Sequence, residues 1–383
     1  MRPQVQIRPA WTLRDERGTT LVPRLIDLLV QVHEDGSLLA ACQRAGVSYR
    51  HAWGLVRQGE ALFGAPLLVM ARGKGSTLTP LGQTLVWADR RIAARLSPLL
   101  DSLASELELE IGKVLSAGDT PLRLFASHGF AVEQLHDTLL REGQPVELRY
   151  LAVPEALAAL RDDQCDLCGV ALPEGEFEAE VAARHRASLS GREVSLIHLA
   201  TRRQGLMLAP GNPKRLYGVR DLARPGVRFV NRQPGSGTRL LLDLMLAREG
   251  LEPAAVQGYG QCEYTHAAVA AYVASGMADA GLGVETPARR FKLEFLPLAS
   301  ERYGLLCATE ALDTPKVQAV RAVLQRPEVR AAIDALPGYE AGPAGEVRPL
   351  HAAPAAARAR APAARLKKDP SVTNTCPSRR AGL

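Results

Sequence analysis

The chain lacks long apolar runs. Nowhere in its 383 residues do the roughly twenty consecutive apolar residues of a membrane-spanning helix occur. Met1-Arg2-Pro3-Gln4 leads into a polar, interrupted segment and not into the apolar stretch of a secretory leader. Aromatic residues are scarce, at 5%, yet 46% of the chain is hydrophobic, which is enough for sizeable cores. The six cysteines, at positions 42, 165, 168, 262, 307 and 376, are scattered, so no disulfide framework is expected. Cys165-Asp166-Leu167-Cys168 has no second pair or histidine cluster, and the apolar Val170–Leu172 beyond it marks small buried thiols, not a metal site. From these absences a soluble, cytoplasmic protein with no membrane partner is expected. Catalytic signatures are missing as well. Gly235-Ser236-Gly237 lacks the flanks of a hydrolase nucleophile elbow, and no Gly-Lys-Ser/Thr follows the glycine spacing of a nucleotide loop. No enzyme activity and no cofactor are expected.

Charge of one sign is absent from most of the chain too. The formal net charge is +6, and residues 351–383 hold seven cations against Asp369 alone, seven minus one, which is all of it. Residues 1–350 are balanced, so the global charge does not argue for nucleic acid. One region departs from this balance: between Gly36 and Pro80 stand Arg44, Arg50, Arg57, Arg72 and Lys74 against the single acid Glu60.

That region reads GSLLAACQRAGVSYRHAWGLVRQGEALFGAPLLVMARGKGSTLTP. Ser37 is placed to cap a short helix to about Ala45, Gly46 to end it in a left-handed residue, and Ser48 to cap the next helix. Two helices joined by so short a turn form the unit whose second helix enters the major groove. Its first turn carries Ser48, Tyr49, Arg50 and His51, side chains that read base edges and hold phosphates. Two short strands with Arg72-Gly73-Lys74 between them make a wing for the phosphate backbone, where Arg57, Arg72 and Lys74 are placed. Helix pairs around a glycine also occur in proteins that never touch DNA, but a cationic wing has no core role. Trp53 is assigned to the core, since Ala52, Leu55, Val56 and Leu62 share its helix at packing distances. With the following LTPLGQTLV, this stretch resembles the winged helix of ModE-type molybdate-responsive regulators and, more loosely, LysR-type regulators. The likeness covers about the first hundred residues, rests on SYRHAW and LTPLG, and implies double-stranded DNA as a partner.

Thr19 or Thr20 is expected to cap a first helix in which Leu21, Leu25, Leu28, Leu29 and Val32 recur at helical spacing. From Pro80 a helical pattern of about 45 Å extends to Ile111. A helix of that length points to packing against a second copy, in a homodimer or homotetramer; folding back on its own chain is the alternative. Pro98 is expected to kink or break it. Beyond a linker at 113–120, strands and helices alternate as in a parallel sheet with covering helices. The expected organisation is a winged helix-turn-helix at 1–79, a linker and dimerisation helix at 80–112, a two-lobed α/β ligand-binding domain at 121–349, and a disordered basic tail at 350–383. Lobe 1 takes about 121–198 and 300–345, lobe 2 about 199–299.

Two strand-to-helix turns stand out in the second half. Asn231-Arg232-Gln233-Pro234-Gly235-Ser236-Gly237-Thr238-Arg239 places hydroxyls and free backbone amides at a helix start, where an anion is welcome. The same turn is also met as a well-capped corner that binds nothing. Ser127-His128-Gly129 offers like geometry from the other lobe, and Thr265-His266 opens a third helix that is placed to contribute likewise. Ligands of open α/β sheets sit beyond the carboxyl ends of strands, so these turns are expected to face one cleft. Ser127, His128, Gly129, Arg232, Ser236, Gly237, Thr238, Arg239 and Thr265 are the candidate ligand-binding residues. FVNRQPGSGTRLLLDLMLAREGL, YTHAAVAAYVASGMADAGLGVE and GLMLAPGNP are similar to the type II periplasmic-binding-protein-like domain found fused to helix-turn-helix regulators, over about residues 120–340. That domain is related to molybdate-binding proteins, so the resemblance implies a transcription regulator whose effector is molybdate or tungstate. ModE-type regulators usually carry small β-barrel molybdate modules, and nothing here reads as one. An organic anion such as formate stays open as effector, as does an enzyme of molybdenum-cofactor assembly with the same domain.

Overall fold

A computed structural model describes residues 4–14, 18, 20–21, 23–71, 75–115 and 120–350. Leu13–Arg14 (β1) pairs antiparallel with Thr20–Leu21 (β2). Thr20 and Leu21 thus lie in a strand, and the first helix, α1 (Pro23–Asp35), begins later than its apolar spacing suggests. Pro23 supplies the start, since a proline in the first turn forfeits no helical hydrogen bond. Helices α2 (Leu38–Ala45) and α3 (Tyr49–Phe63) follow. Their caps are the expected ones: Ser37 Oγ accepts from Ala40 N at 3.1 Å, Gly46 closes α2 at φ 65°, and Ser48 Oγ accepts from His51 N at 3.2 Å. Leu25, Leu29, Val32, Leu38, Ala52 and Val56 fill a common core against the hairpin β3 (Leu68–Ala71) and β4 (Gly75–Leu78). The expected wing tip, Arg72 to Lys74, lies outside the described residues, as do the position of Thr19 and the tail from His351.

Helix α4 (Pro80–Leu115) runs 36 residues and continues through Pro98 without a break. After it come β5 (Leu122–Ala126), α5 (Phe130–Arg141), β6 (Val146–Tyr150), α6 (Val153–Arg161), β7 (Leu167–Pro173) and α7 (Glu178–Ser188). The long strand β8 (Val194–Leu208) leads to β9 (Phe229–Arg232), α8 (Gly237–Arg248), β10 (Cys262–Glu263), α9 (His266–Ala274), β11 (Ala280–Val284) and α10 (Glu285–Arg290). A second long strand, β12 (Glu294–Ala308), returns to α11 (Pro315–Leu324), α12 (Pro327–Asp334), β13 (Tyr339–Glu340) and β14 (Val347–Pro349).

One sheet in the order β10-β9-β11-β8-β12-β7-β5-β6 carries both lobes. The end groups β5, β6, β7 and β9, β10, β11 are parallel, as the alternation of strands and helices implied. The antiparallel pair β8 and β12, 15 residues each, runs through both lobes and joins them. From the sequence β8 reads as two strands, Val194–Thr201 and Gly205–Ala209, and β12 only as Leu305–Ala308. The polar residues Arg202, Arg203 and Gln204, with Glu301, Ser300 and Ala299 opposite, look like breaks but sit inside the paired ladder.

Strand β6 is the last in this order, and α4 covers its free side. Ser105 Oγ accepts from Leu148 N at 2.8 Å and donates to Val146 O at 3.1 Å. Ser102 Oγ accepts from Tyr150 N at 3.0 Å and donates to Pro98 O at 2.8 Å. Two serines one helical turn apart therefore hold strand groups that a neighbouring strand would otherwise pair. α4 rests on α1, β6 and α9 of its own chain. Leu96, Leu99, Leu103 and Leu107 form an exposed apolar stripe along it.

Ser105→Ala leaves a buried strand amide without its acceptor. It is expected to lower unfolding stability by about 1–3 kcal/mol in urea titration, whereas Glu106→Ala, on an exposed position next to it, changes stability by no more than about 0.5 kcal/mol. Equal effects of the two would show that the serine does not hold the edge.

Candidate functional site

In the N-terminal unit α3 turns Ala52, Val56 and Gly59 inward. The opposite face leaves Ser48, Tyr49, Arg50, His51 and Arg57 exposed, so the sequence-predicted contact residues share the free side of one helix end. Trp53 is half-buried in the core, and the Arg57 guanidinium lies 5.7 Å from its ring centroid. Arg72 and Lys74 cannot be placed, being outside the described residues.

Between the lobes, β8 and β12 bring buried charges together. Arg202 and Glu301 are paired positions of the two strands, and Arg202 Nε donates to Glu301 Oε1 at 2.5 Å. Gln204, two residues on and hence on the same face, donates through Nε2 to Glu301 Oε1 at 2.7 Å and to Thr238 Oγ1 at 3.0 Å. The Arg202 guanidinium stacks 4.4 Å from the Tyr303 ring, whose hydroxyl donates to Ser127 O at 3.3 Å. Arg232, at the end of β9, is only 1% exposed. Its Nε donates to Gln233 Oε1 at 3.2 Å, and among the described residues nothing pairs with its Nη1. Burial, reinforced by Arg202 and opposed by Glu301, holds the Arg232 guanidinium down to about 9. His266 is buried as well, and desolvation with the nearby Arg232 and Arg202 keeps its ring well below the usual imidazole range and so neutral. Two buried cations against one anion leave a positive charge between the lobes. A guanidinium short of a partner in such a place is a seat for an anion.

Of the predicted ligand-binding residues, the structure gathers Gly129, Arg232 and Thr238 at this cluster. Gly129 caps α5, and Arg202 Nη1 lies 3.4 Å from where a Cβ would stand. Ser236 Oγ is spent on the N-cap of α8, accepting from Arg239 N at 3.1 Å. Gly237 faces Ala171 of β7, and Gly235, at φ +82°, accepts from Val153 N across the lobes at 3.2 Å. Ser127 donates to Leu151 O at 3.4 Å. Arg239 turns away, paired with Asp243 at 3.1 Å and stacked 3.8 Å from the Tyr259 ring. His266, expected with Thr265 at the start of α9, does lie at the cluster, whereas Arg202, Gln204, Glu301 and Tyr303 were not found from the sequence. Their signal was polar residues at i and i+2 inside apolar strand segments, Arg202 with Gln204 and Glu301 with Tyr303.

His128 and Thr265 meet α4 instead. His128 Nε2 lies 2.8 Å from Glu133 Oε1 and 3.1 Å from Ser97 Oγ. Thr265 Oγ1 caps α9, accepting from Ala268 N, and donates to Ala94 O at 2.9 Å. Pro98 has no N–H, so the carbonyl four residues before it, that of Ala94, has no helical donor. Thr265 supplies the missing one. Arg95 lies 3.6 Å from the buried Glu263 carboxylate. Within one turn α4 therefore holds both lobes, lobe 1 through Ser97 and lobe 2 through Ala94 and Arg95. Towards the head, Trp87 stacks on Phe291 at 5.9 Å and meets His33 of α1 edge-on at 5.4 Å, while Arg90 pairs with Glu34 at 3.0 Å.

Comparison with known proteins fits this division. Residues 23–83 match the bacterial regulatory helix-turn-helix protein, lysR family, and residues 138–325 match the PBP superfamily domain. YvgK of Bacillus subtilis strain 168 is 34% identical over 199 residues, 52% of this chain and 64% of that protein, so the chain spans under two thirds of this relative's length. The molybdenum-pterin-binding protein MopB of Rhodobacter capsulatus is 26% identical over 252 residues, 60% of this chain and 89% of that one. A solved structure of OxyR from Corynebacterium glutamicum is 15% identical, covering 81% of this chain and 94% of that one, with a TM-score of 0.39. The chain thus carries a LysR-family regulatory helix-turn-helix domain at residues 23–83 ahead of a two-lobed PBP superfamily domain at residues 138–325.

Proposed function

We propose that this protein is a transcription regulator that binds double-stranded DNA through α3 and its wing and responds to a small anion held between the lobes. The observation that carries the effector half is the buried Arg232 guanidinium with an unpaired Nη1, beside Arg202 and a single carboxylate. The DNA half rests on the exposed Tyr49, Arg50, His51 and Arg57 at the start and outer face of a capped helix. Molybdate and tungstate are the first effectors to test, supported by the similarity to MopB. A small organic anion such as formate is the second, favoured by the Glu301 carboxylate, which a metal oxyanion would have to face. The leucine stripe on α4 suits a second copy of the chain, in keeping with a homodimer or homotetramer.

In this reading the effector acts through α4. An anion that binds the closed lobes better than open ones shifts their balance, and any change between lobes moves the Ala94–Thr265 and Ser97–His128 contacts against each other. Trp87 and Arg90, on the same helix, pass that shift to α1 of the reading head.

Arg50→Ala should weaken operator binding at least about tenfold in fluorescence anisotropy, with effector binding unchanged; retained operator affinity would remove α3 from the interface. Arg232→Gln should weaken anion binding about 100-fold or more in calorimetry while operator binding without effector persists. Unaltered anion affinity in that variant rules out the interlobe site.

A further inference from the structure

The interlobe cluster states more about its ligand than the sign of its charge. Five buried polar atoms there lack partners among the described residues: Arg232 Nη1, Gln204 Oε1, Glu301 Oε2, His266 Nδ1 and, beside Arg202, the Tyr339 hydroxyl. Arg232 Nη1 is a donor and calls for an acceptor. Gln204 Oε1 and Glu301 Oε2 are acceptors and call for donors. The amide orientation of Gln204 is fixed by its neighbours, because its nitrogen is the end that reaches the Glu301 carboxylate and the Thr238 hydroxyl. Glu301 is the stronger witness, since its Oε1 already accepts from both Arg202 and Gln204 while Oε2, equally buried, accepts from nothing. The next carboxylate, Glu263, faces Arg95 of α4 at 3.6 Å, with its Oε2 making no hydrogen bond among the described residues. Three charges therefore face one another, Arg202 and Arg232 against Glu301, with a surplus of one positive charge and His266 neutral.

From this, and resting on the reading of the cleft as an effector site, we infer that the effector is a small monoanion that carries at least one O–H or N–H donor beside its anionic oxygens, as a hydroxy-substituted carboxylate does. The carboxylate of such a ligand accepts from Arg232 and neutralises the surplus charge. Its donor reaches Glu301 Oε2 or Gln204 Oε1. Molybdate and tungstate at neutral pH are dianions with acceptor oxygens only, so they overcompensate the charge and set lone pairs against the Glu301 carboxylate. Formate and acetate match the charge but leave both protein acceptors buried and unpaired, and a site built around a ligand hydroxyl discriminates strongly against the analogue without it.

The test is calorimetry of the full chain at pH 7 with matched pairs, glycolate against acetate and lactate against propionate, alongside molybdate and tungstate. The expected result is that a hydroxy acid binds about 100-fold or more tightly than its unsubstituted partner, and more tightly than either metal oxyanion. Acetate, propionate, molybdate or tungstate binding as well as the hydroxy acids overturns this inference and leaves the anion site standing. No heat with any member overturns the small-anion reading itself, and this inference with it. Glu301→Gln supplies an independent arm, because it removes the negative charge and should raise molybdate affinity at least tenfold relative to glycolate. An unchanged ratio in a variant that still binds either ligand contradicts the role given to Glu301.

Discussion

Three charges buried where two long strands cross from lobe to lobe constrain this protein more than any other feature. Each ion costs several kcal/mol to take out of water, and the cost is offset only when hydrogen bonds and opposite charge close around it. Here Arg202 and Glu301 pair across β8 and β12 beside Gln204 and the Tyr303 ring, while Glu301 Oε2 and Gln204 Oε1 accept from no described residue. Arg232 is the charge left over. It stays buried with Nη1 unpaired among the described residues, the feature on which the proposed anion site rests. A binding protein needs that imbalance, since a fully satisfied core would have nothing to offer a ligand.

The second constraint is the edge of the sheet. Strand β6 would stand open if α4 did not cover it, and Ser102 and Ser105 make that cover polar enough to pair with backbone. Once α4 is fixed there, Pro98 fixes what happens one turn earlier. A carbonyl stripped of its helical donor needs another, and the hydroxyl at the start of α9 provides it. One proline thereby ties the linker to the lobe that carries Arg232 and His266, while Ser97 meets His128 on the other lobe. The helix that leads to the DNA-reading unit is thus also the strap over the two helix starts flanking the charged cluster.

Much of the head and of the alternating fold was legible in the sequence because caps and periodicity are local. Ser37, Gly46 and Ser48 act through groups a few residues away, and their roles are as written in the order of residues. Thr20 and Leu21 were misplaced because pairing with Leu13 and Arg14, a contact beyond their own segment, outweighs the apolar spacing. The site was only partly legible for the same reason. The glycine and hydroxyl residues at helix starts announce themselves, but in the fold Ser236 serves its own helix and Arg239 its own neighbours. Arg202 and Glu301 gain meaning only when β8 and β12 pair over nearly their whole length, which places residues 99 positions apart side by side. The resting place of α4 was equally hidden, since the serine and proline contacts that fix it involve strands and helices far along the chain.

If the cleft and the reading head communicate through α4, operator affinity registers it. Operator affinity should be measured with and without the anion that calorimetry identifies, in the unaltered chain and in Pro98→Ala, which restores a helical donor to the Ala94 carbonyl and makes the Thr265 bond dispensable. The anion is expected to shift operator affinity in the unaltered chain, and that shift to collapse in the variant although the anion still binds. A shift of the same size in both would contradict communication through α4.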